Sequence, residues 1–254
     1  MTLALKYLDA VSAILKQIES EQIPSIIEAA RMVAESIAKG GILHTFGSGH
    51  SHMISEEAFF RAGGLVPVNA ILDQRLLFLE GAAESTQAER ESGYAETLLA
   101  SENVQPEDVA IIISNSGRNA VPIEMALAMK ARGVKVIAIT SALYSARLRS
   151  RHSSGKRLFE LADLTIDNCV PEGDAVLDLP DTSQRIGPSS TIAGVAIMNA
   201  ITVEACLILK NTGLKVPVFS SANTALSSDE ELENLLTAWS SRIRLFRTDR
   251  RSNA

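Results

Sequence analysis

The chain has 254 residues, 46% hydrophobic and 21% charged, which is globular composition with length for one large core or two small ones. A formal net charge of -6 and a pI near 5.3 argue against a protein whose main task is gripping nucleic acid or an anionic membrane, so an anionic ligand needs a local site. The two cysteines, Cys169 and Cys206, lack Cys-x-x-Cys spacing, which argues against a disulfide framework or a cysteine-based zinc site and fits a reducing cytoplasm.

Leu5, Leu8, Val11, Ile14, Leu15 and Ile18 recur at helical spacing and predict an amphipathic helix from about Ala4 to Ser20. Lys6, Asp9 and Lys16 break the apolar run that a secretory signal would need, so no targeting segment is expected. A second helical pattern, Ile23 to Lys39, stops at Gly40-Gly41. Short apolar runs follow at Ile42–Phe46, Leu65–Leu72, Val109–Ile113, Val134–Ile139 and Leu164–Ile166, separated by segments that can hold helices. Such alternation predicts parallel strands joined by right-handed crossovers and buried on both faces: an α/β fold.

The charged segment between Leu72 and Asn103 is expected to be part loop, part helix from Gly93 to Leu99. Cys169 to Pro188, with four acidic residues, three prolines and two glycines, reads as an irregular rim or lid. Thr191 to Leu209 approaches the length of a membrane span, but Asn199, Thr202 and Glu204 interrupt it without flanking charged anchors, so a buried helix is expected. The five arginines between Arg242 and Arg251 read as a solvated helix end and tail. The whole, residues 1–254, is expected to be one domain with a helical extension from about residue 212.

Two serine-rich turns stand at strand ends, where ligands bind in open parallel sheets. Gly47-Ser48-Gly49-His50-Ser51 follows the first strand and offers the Ser48 and Ser51 hydroxyls beside backbone N–H groups opening a helix. Ser114-Asn115-Ser116-Gly117-Arg118-Asn119 follows Val109–Ile113 and adds Ser114, Ser116 and Asn119 at the positive end of another helix. Either turn alone could be a plain helix cap; the pair points to an anion site for one phosphate. His52 replaces the last glycine of a dinucleotide fingerprint, and Gly155-Lys156 follows no strand, so neither a Rossmann nor a nucleotide P-loop pattern is present.

These turns, together with Ser153-Ser154-Gly155-Lys156-Arg157-Leu158 and Ala162-Asp163-Leu164-Thr165-Ile166-Asp167, resemble the sugar isomerase (SIS) domain family from about Ile23 to Leu209. The resemblance implies a three-layer α/β/α sandwich around a five-stranded parallel sheet, order 2-1-3-4-5, with a phosphorylated sugar at the crevice. It carries phosphate contacts onto Ser51, Ser114, Ser116 and Asn119, with Asn115 contributing backbone. Gly47, Gly49, Ser51 and His52 are similar to the first turn of phosphoheptose isomerases, but Glu57 stands where those enzymes place a zinc-binding histidine, and the helix from Thr191 to Leu209 has none. No metal and no cofactor are therefore expected. The overall run is similar to single-domain members known only as SIS-domain proteins or phosphosugar isomerases. Family membership also implies a homodimer or homotetramer whose site a neighbouring subunit completes.

Aldose–ketose isomerisation needs a base to carry a proton between C1 and C2 and a group to help open the ring. Glu56 and Glu57 lie on the helix opened by the first turn, about 100° apart, so at most one faces the crevice; Glu57 is preferred. Glu91 in the charged segment is a second candidate base. Of the four histidines, His44 is expected in the core, His50 is preferred over His52 at the phosphate turn, and His152 could assist from the loop before the fifth strand. A phosphosugar lyase or deaminase acting through C2 proton abstraction remains open. So does a non-catalytic sugar-phosphate sensor, although no basic helix-turn-helix segment precedes the domain.

Overall fold

In the computed structural model, which describes residues 2–221 and 228–247, two N-terminal helices lead into the sheet. Helix α1 (Leu3–Glu21) is capped by Thr2, whose hydroxyl accepts from the Leu5 N–H, and buries Val11, Ile14 and Ile18 at the predicted spacing. Helix α2 (Ile23–Ala38) ends just before Gly40-Gly41. Then come β1 (Leu43–Gly47), α3 (His52–Ala58), β2 (Val68–Ile71), α4 (Ala82–Ala88), α5 (Tyr94–Leu99), β3 (Val109–Ile113), α6 (Ala120–Ala131), β4 (Lys135–Thr140), α7 (Ala142–Arg147) and β5 (Leu164–Asp167). A hairpin of β6 (Ala175–Asp178) and β7 (Arg185–Pro188), the long α8 (Ser190–Asn211) and α9 (Asp229–Trp239) complete the chain.

Strands β1 to β5 form one parallel sheet in the order β2-β1-β3-β4-β5. Side-chain alternation sorts β3 and β4 between two cores. Val109, Ile111, Ile113, Ile137 and Ile139 face α2 and α8; Ala110, Ile112, Val136 and Ala138 face α5 and α6, meeting Leu98, Leu99, Val121, Met125 and Met129. With helices on both faces, the architecture is the three-layer α/β/α sandwich that the SIS resemblance implies, built on the parallel α/β pattern that the apolar runs predict. The second strand is shorter than expected because Leu65 and Val66 leave the sheet: Leu65 bridges to Val218, and Val66 N–H donates to Pro217 O. Helix α8 is long and apolar enough to cross a membrane, yet it packs on α2 and α3 and buries Ala193, Ile197, Met198, Ile201, Ala205 and Leu209.

Two expectations need correction. The stretch from Cys169 to Pro188 is not irregular throughout: β6 and β7 pair antiparallel, with Leu177 opposite Ile186, and Tyr7 Oη of α1 donates to Pro188 O at 2.6 Å. Nor are the late arginines all solvated. Arg242 Nη2 donates to both oxygens of the buried Asp108 at 2.6 and 2.9 Å, and Arg244 Nε donates to Glu102 at 2.7 Å. Arg250 and Arg251 lie outside the described residues.

Asp108 also accepts from His44 at 3.0 Å and from the N–H groups of Ile42 and Gln105, while Asn69 Nδ2 bridges His44 Nδ1 and Glu102. His44 is thus the core residue expected, in a buried polar cluster at the amino ends of β1, β2 and β3. Beside it Ile243 and Phe246 close an apolar cluster with Ile42, Val66 and Phe219, so the carboxy-terminal segment straps the side of the sheet opposite the serine turns.

Candidate functional site

Gly47 at the end of β1 and Ile113 at the end of β3 are register partners, so the two serine turns start side by side. The chain leaves β1 toward β2 on one side and β3 toward β4 on the other, which makes this the sheet's switch point. In the first turn a Cβ on Gly47 would lie 2.5 Å from the Ser51 carbonyl oxygen, so only glycine lets the chain fold back this tightly. In the second turn Gly117 holds φ +59°, a Cβ there would lie 2.8 Å from Ser145 Oγ, and its N–H donates to Ser114 Oγ at 3.2 Å.

The structure sorts the predicted phosphate ligands. The Ser51 and Ser116 hydroxyls, both half-buried, have no hydrogen-bond partner among the described residues. Ser48 and Ser114 are buried and engaged: Ser48 Oγ donates to Glu89 Oε1 at 2.8 Å, and Ser114 accepts from Gly117. The Asn115 carbonyl accepts from Thr140 Oγ1 and the Ser141 N–H, and its side-chain oxygen accepts from Asn168, which fixes the turn to β4 and the end of β5. Asn119 sits at the start of α6 with extended backbone and makes no capping bond; its Oδ1 accepts from Arg151 at 2.8 Å, leaving its amide N–H groups for another partner.

Glu89, at the end of α4, joins the two turns. Its carboxylate holds Ser48, and its carbonyl accepts from the Val121 N–H in the first turn of α6 at 3.1 Å. Sequence reasoning passed over it in favour of Glu91, two residues on. Glu91 is instead half-exposed and paired with Arg75, which also holds Glu84 and lies over the Tyr94 ring. Burial, then the bond to Asp73, pushes the Tyr94 hydroxyl up to about 12, so it remains a donor locking this segment to Asp73. Glu57 pairs with Arg61, just past the end of α3, and accepts from Asn199 of α8 at 3.1 Å. His50 is exposed at the first turn, its ring 4.7 Å from that of Phe78; His52 turns back to bond the Gly49 carbonyl. His152 bonds Ser154 and lies 3.6 Å from Glu124.

Sequence reasoning also missed three arginines around the α6 end of the crevice. Arg90 follows Glu89, Arg118 belongs to the second turn, and the Arg151 N–H donates to the Arg118 carbonyl at 2.8 Å. Arg118 Nε is buried without a partner. Partial burial, then repulsion from Arg118 and Arg90, lowers the pKa of the Arg151 guanidinium against the opposing pull of Glu89. Among the described residues no three His, Cys, Asp or Glu side chains are grouped to hold a metal ion.

A parallel sheet in the order 2-1-3-4-5, with paired serine turns at its switch point, defines a SIS-type α/β protein. The chain belongs to the SIS domain family, whose pattern matches residues 6–141, and its relatives include UPF0309 proteins at 40–42% identity. The one from Geobacillus kaustophilus is 42% identical over 238 residues, 94% of each chain, and that from Listeria innocua 42% over 240 residues, covering 94% of this chain and 97% of its own. Solved structures share the fold at low identity. A phosphoheptose isomerase from Francisella tularensis superposes with TM-score 0.53 at 16% identity, over 81% of this chain and 98% of its own. The Vibrio vulnificus NanR protein, solved in complex with ManNAc-6P, does so with TM-score 0.50 at 16% identity, over 83% and 68%.

Proposed function

We propose that the crevice between the two serine turns binds a phosphorylated sugar and that the protein interconverts its aldose and ketose forms. The observation that carries the reading is the Gly47–Ile113 register, which sets two serine turns and the Glu89 carboxylate around one crevice. Ser51, Ser116 and Asn119 would donate to the phosphate at the positive end of α6, with Asn115 supplying backbone and Ser48 and Ser114 holding the turns in shape.

In the enediol route a carboxylate removes the C2 proton of the open-chain aldose. The C–H electrons form the C1=C2 bond while the C1 carbonyl oxygen gains a proton. Return of a proton to C1 and loss of the O2 proton give the ketose. Glu89 suits the base because it is fixed by Ser48 yet retains a second oxygen. His50, exposed at the same turn, suits ring opening. Glu57, Glu91 and His152 have partners of their own and would act through position rather than at the reacting carbons.

The reading carries a cytoplasmic homodimer or homotetramer acting as one SIS-type domain. It is supported by two unpaired, half-buried cysteines and by an exposed apolar strip, Ile192, Val203 and Leu207, along α8. The test is a thermal-shift screen of sugar phosphates against their unphosphorylated parents, followed by NMR of any binder in heavy water. Stabilisation only by the phosphorylated member, with deuterium entering at C2 of the aldose, supports the reading. Release of lactate or ammonia would indicate the lyase or deaminase, and binding without exchange the sensor. No preference for phosphate would overturn the site itself.

A further inference from the structure

The serine turns account for one phosphate, but they do not account for the charge beside them. Arg90, Arg118 and Arg151 come from three separate segments: the end of α4, the second turn, and the loop after α7. Two backbone contacts fix their relation: the Arg151 N–H on the Arg118 carbonyl, and the Glu89 carbonyl, one residue before Arg90, on Val121 of α6. Arg151 also donates to Asn119, so the group borders the proposed phosphate position.

Counter-charge is short. Glu89 is the one carboxylate among the charged groups acting most strongly on Arg151, and Ser48 already shares it. Arg118 is half-buried and its Nε lies buried with no acceptor, so its guanidinium has no carboxylate of its own among the described residues. Arg90 and Arg151 are exposed, so the group opens at the mouth of the crevice rather than at its floor. Guanidinium groups match planar, bidentate oxyanions, whereas the hydroxyl and amide donors of the turns suit the phosphate already assigned.

We infer that the ligand is a phosphosugar carrying a second anionic group, a carboxylate or a further phosphate, received by Arg90, Arg118 and Arg151 at the mouth of the crevice. This rests on the sugar-phosphate reading above and names its substrate class.

Isothermal titration at fixed ionic strength tests it with two matched pairs. Fructose 1,6-bisphosphate against fructose 6-phosphate asks about a second phosphate; 6-phosphogluconate against glucitol 6-phosphate asks about a carboxylate. The doubly anionic member of at least one pair should bind about 10-fold tighter or better. Arg90→Gln, at an exposed position outside both serine turns, should lose that advantage while its affinity for the single phosphate changes less than about 3-fold. The Arg118→Gln/Arg151→Gln protein should also lose the advantage, with the single-phosphate member weakened too because Arg151 holds Asn119, yet by less than the doubly anionic member. Equal affinity within both pairs, or an equal fall for both members in the variants, overturns the inference and leaves the sugar-phosphate site standing. Failure of all four compounds to bind the unmodified protein removes both.

Discussion

Ser48 Oγ donates to Glu89 Oε1 across 2.8 Å, joining the loop after β1 to the end of α4 although 41 residues separate them in the chain. Because the serine hydroxyl holds one carboxylate oxygen, the other is left in a fixed direction, which is what a base that must meet a carbon-bound proton requires.

Glu89→Gln keeps an acceptor for Ser48 while removing the base. The expected result is a kcat for aldose–ketose interconversion lower by roughly 10²- to 10⁴-fold with ligand affinity within a few-fold of the original. Titration and NMR exchange on the same preparation check both halves. Retained exchange would move the proton transfer to another group, His50 first.

The two uncommitted hydroxyls give a separate prediction. Ser116→Ala deletes a donor with no protein partner, so the thermal midpoint should hardly move, whereas sugar-phosphate affinity should fall about 10-fold, the worth of one hydrogen bond to a charged group. Ser114→Ala should differ in kind, lowering stability as well, because Ser114 Oγ accepts from Gly117 inside the turn. Titration beside melting curves separates them; equal behaviour of the two variants would count against this division of labour.

Gly47→Ala tests the shape of the first turn. The added methyl would meet the Ser51 carbonyl oxygen at 2.5 Å, a backbone atom that cannot rotate away. A destabilisation of about 1–3 kcal/mol is expected from the overpacking, with Ser51 displaced and phosphate affinity reduced beyond what the fold loses. Denaturant unfolding and titration measure the two effects, and a variant with unaltered binding would show that the tight turn is dispensable.

The elements that could be read from the sequence are those whose signal is local. Val109–Ile113 is an unbroken apolar run because both its faces are buried, and Gly47 and Gly117 mark backbone that no other residue enters easily. What escaped depends on partners far along the chain. Glu89 and Glu91 are indistinguishable as letters in a charged segment; which one meets Ser48 follows from where α4 ends. Arg242 looks like a tail residue until Asp108, 134 positions earlier, is placed beneath it. The β6–β7 hairpin carried proline and glycine signals that read equally well as loop, because its short strands alternate weakly and pair only with each other.

Asp108 sets the last prediction, on acid stability. Burial alone would raise its carboxyl, but hydrogen bonds from His44 and from the Gln105 and Ile42 N–H groups outweigh that and hold it below the usual carboxylate range. A carboxyl depressed in the folded state contributes stability above its unfolded pKa, about 4, and that contribution disappears as pH falls through the lower folded value. Unfolding free energy should therefore decline below about pH 4, with proton uptake on unfolding. Asp108→Asn should cost about 3–5 kcal/mol at neutral pH, since the buried Arg242 contact loses its counter-ion and His44 its carboxylate acceptor, and should flatten the acid limb by about one proton. Urea titrations from pH 3 to 7 on both proteins measure the two slopes. Parallel acid limbs would mean that other depressed carboxyls, Asp163 with its Lys130 contact among them, carry the acid sensitivity instead.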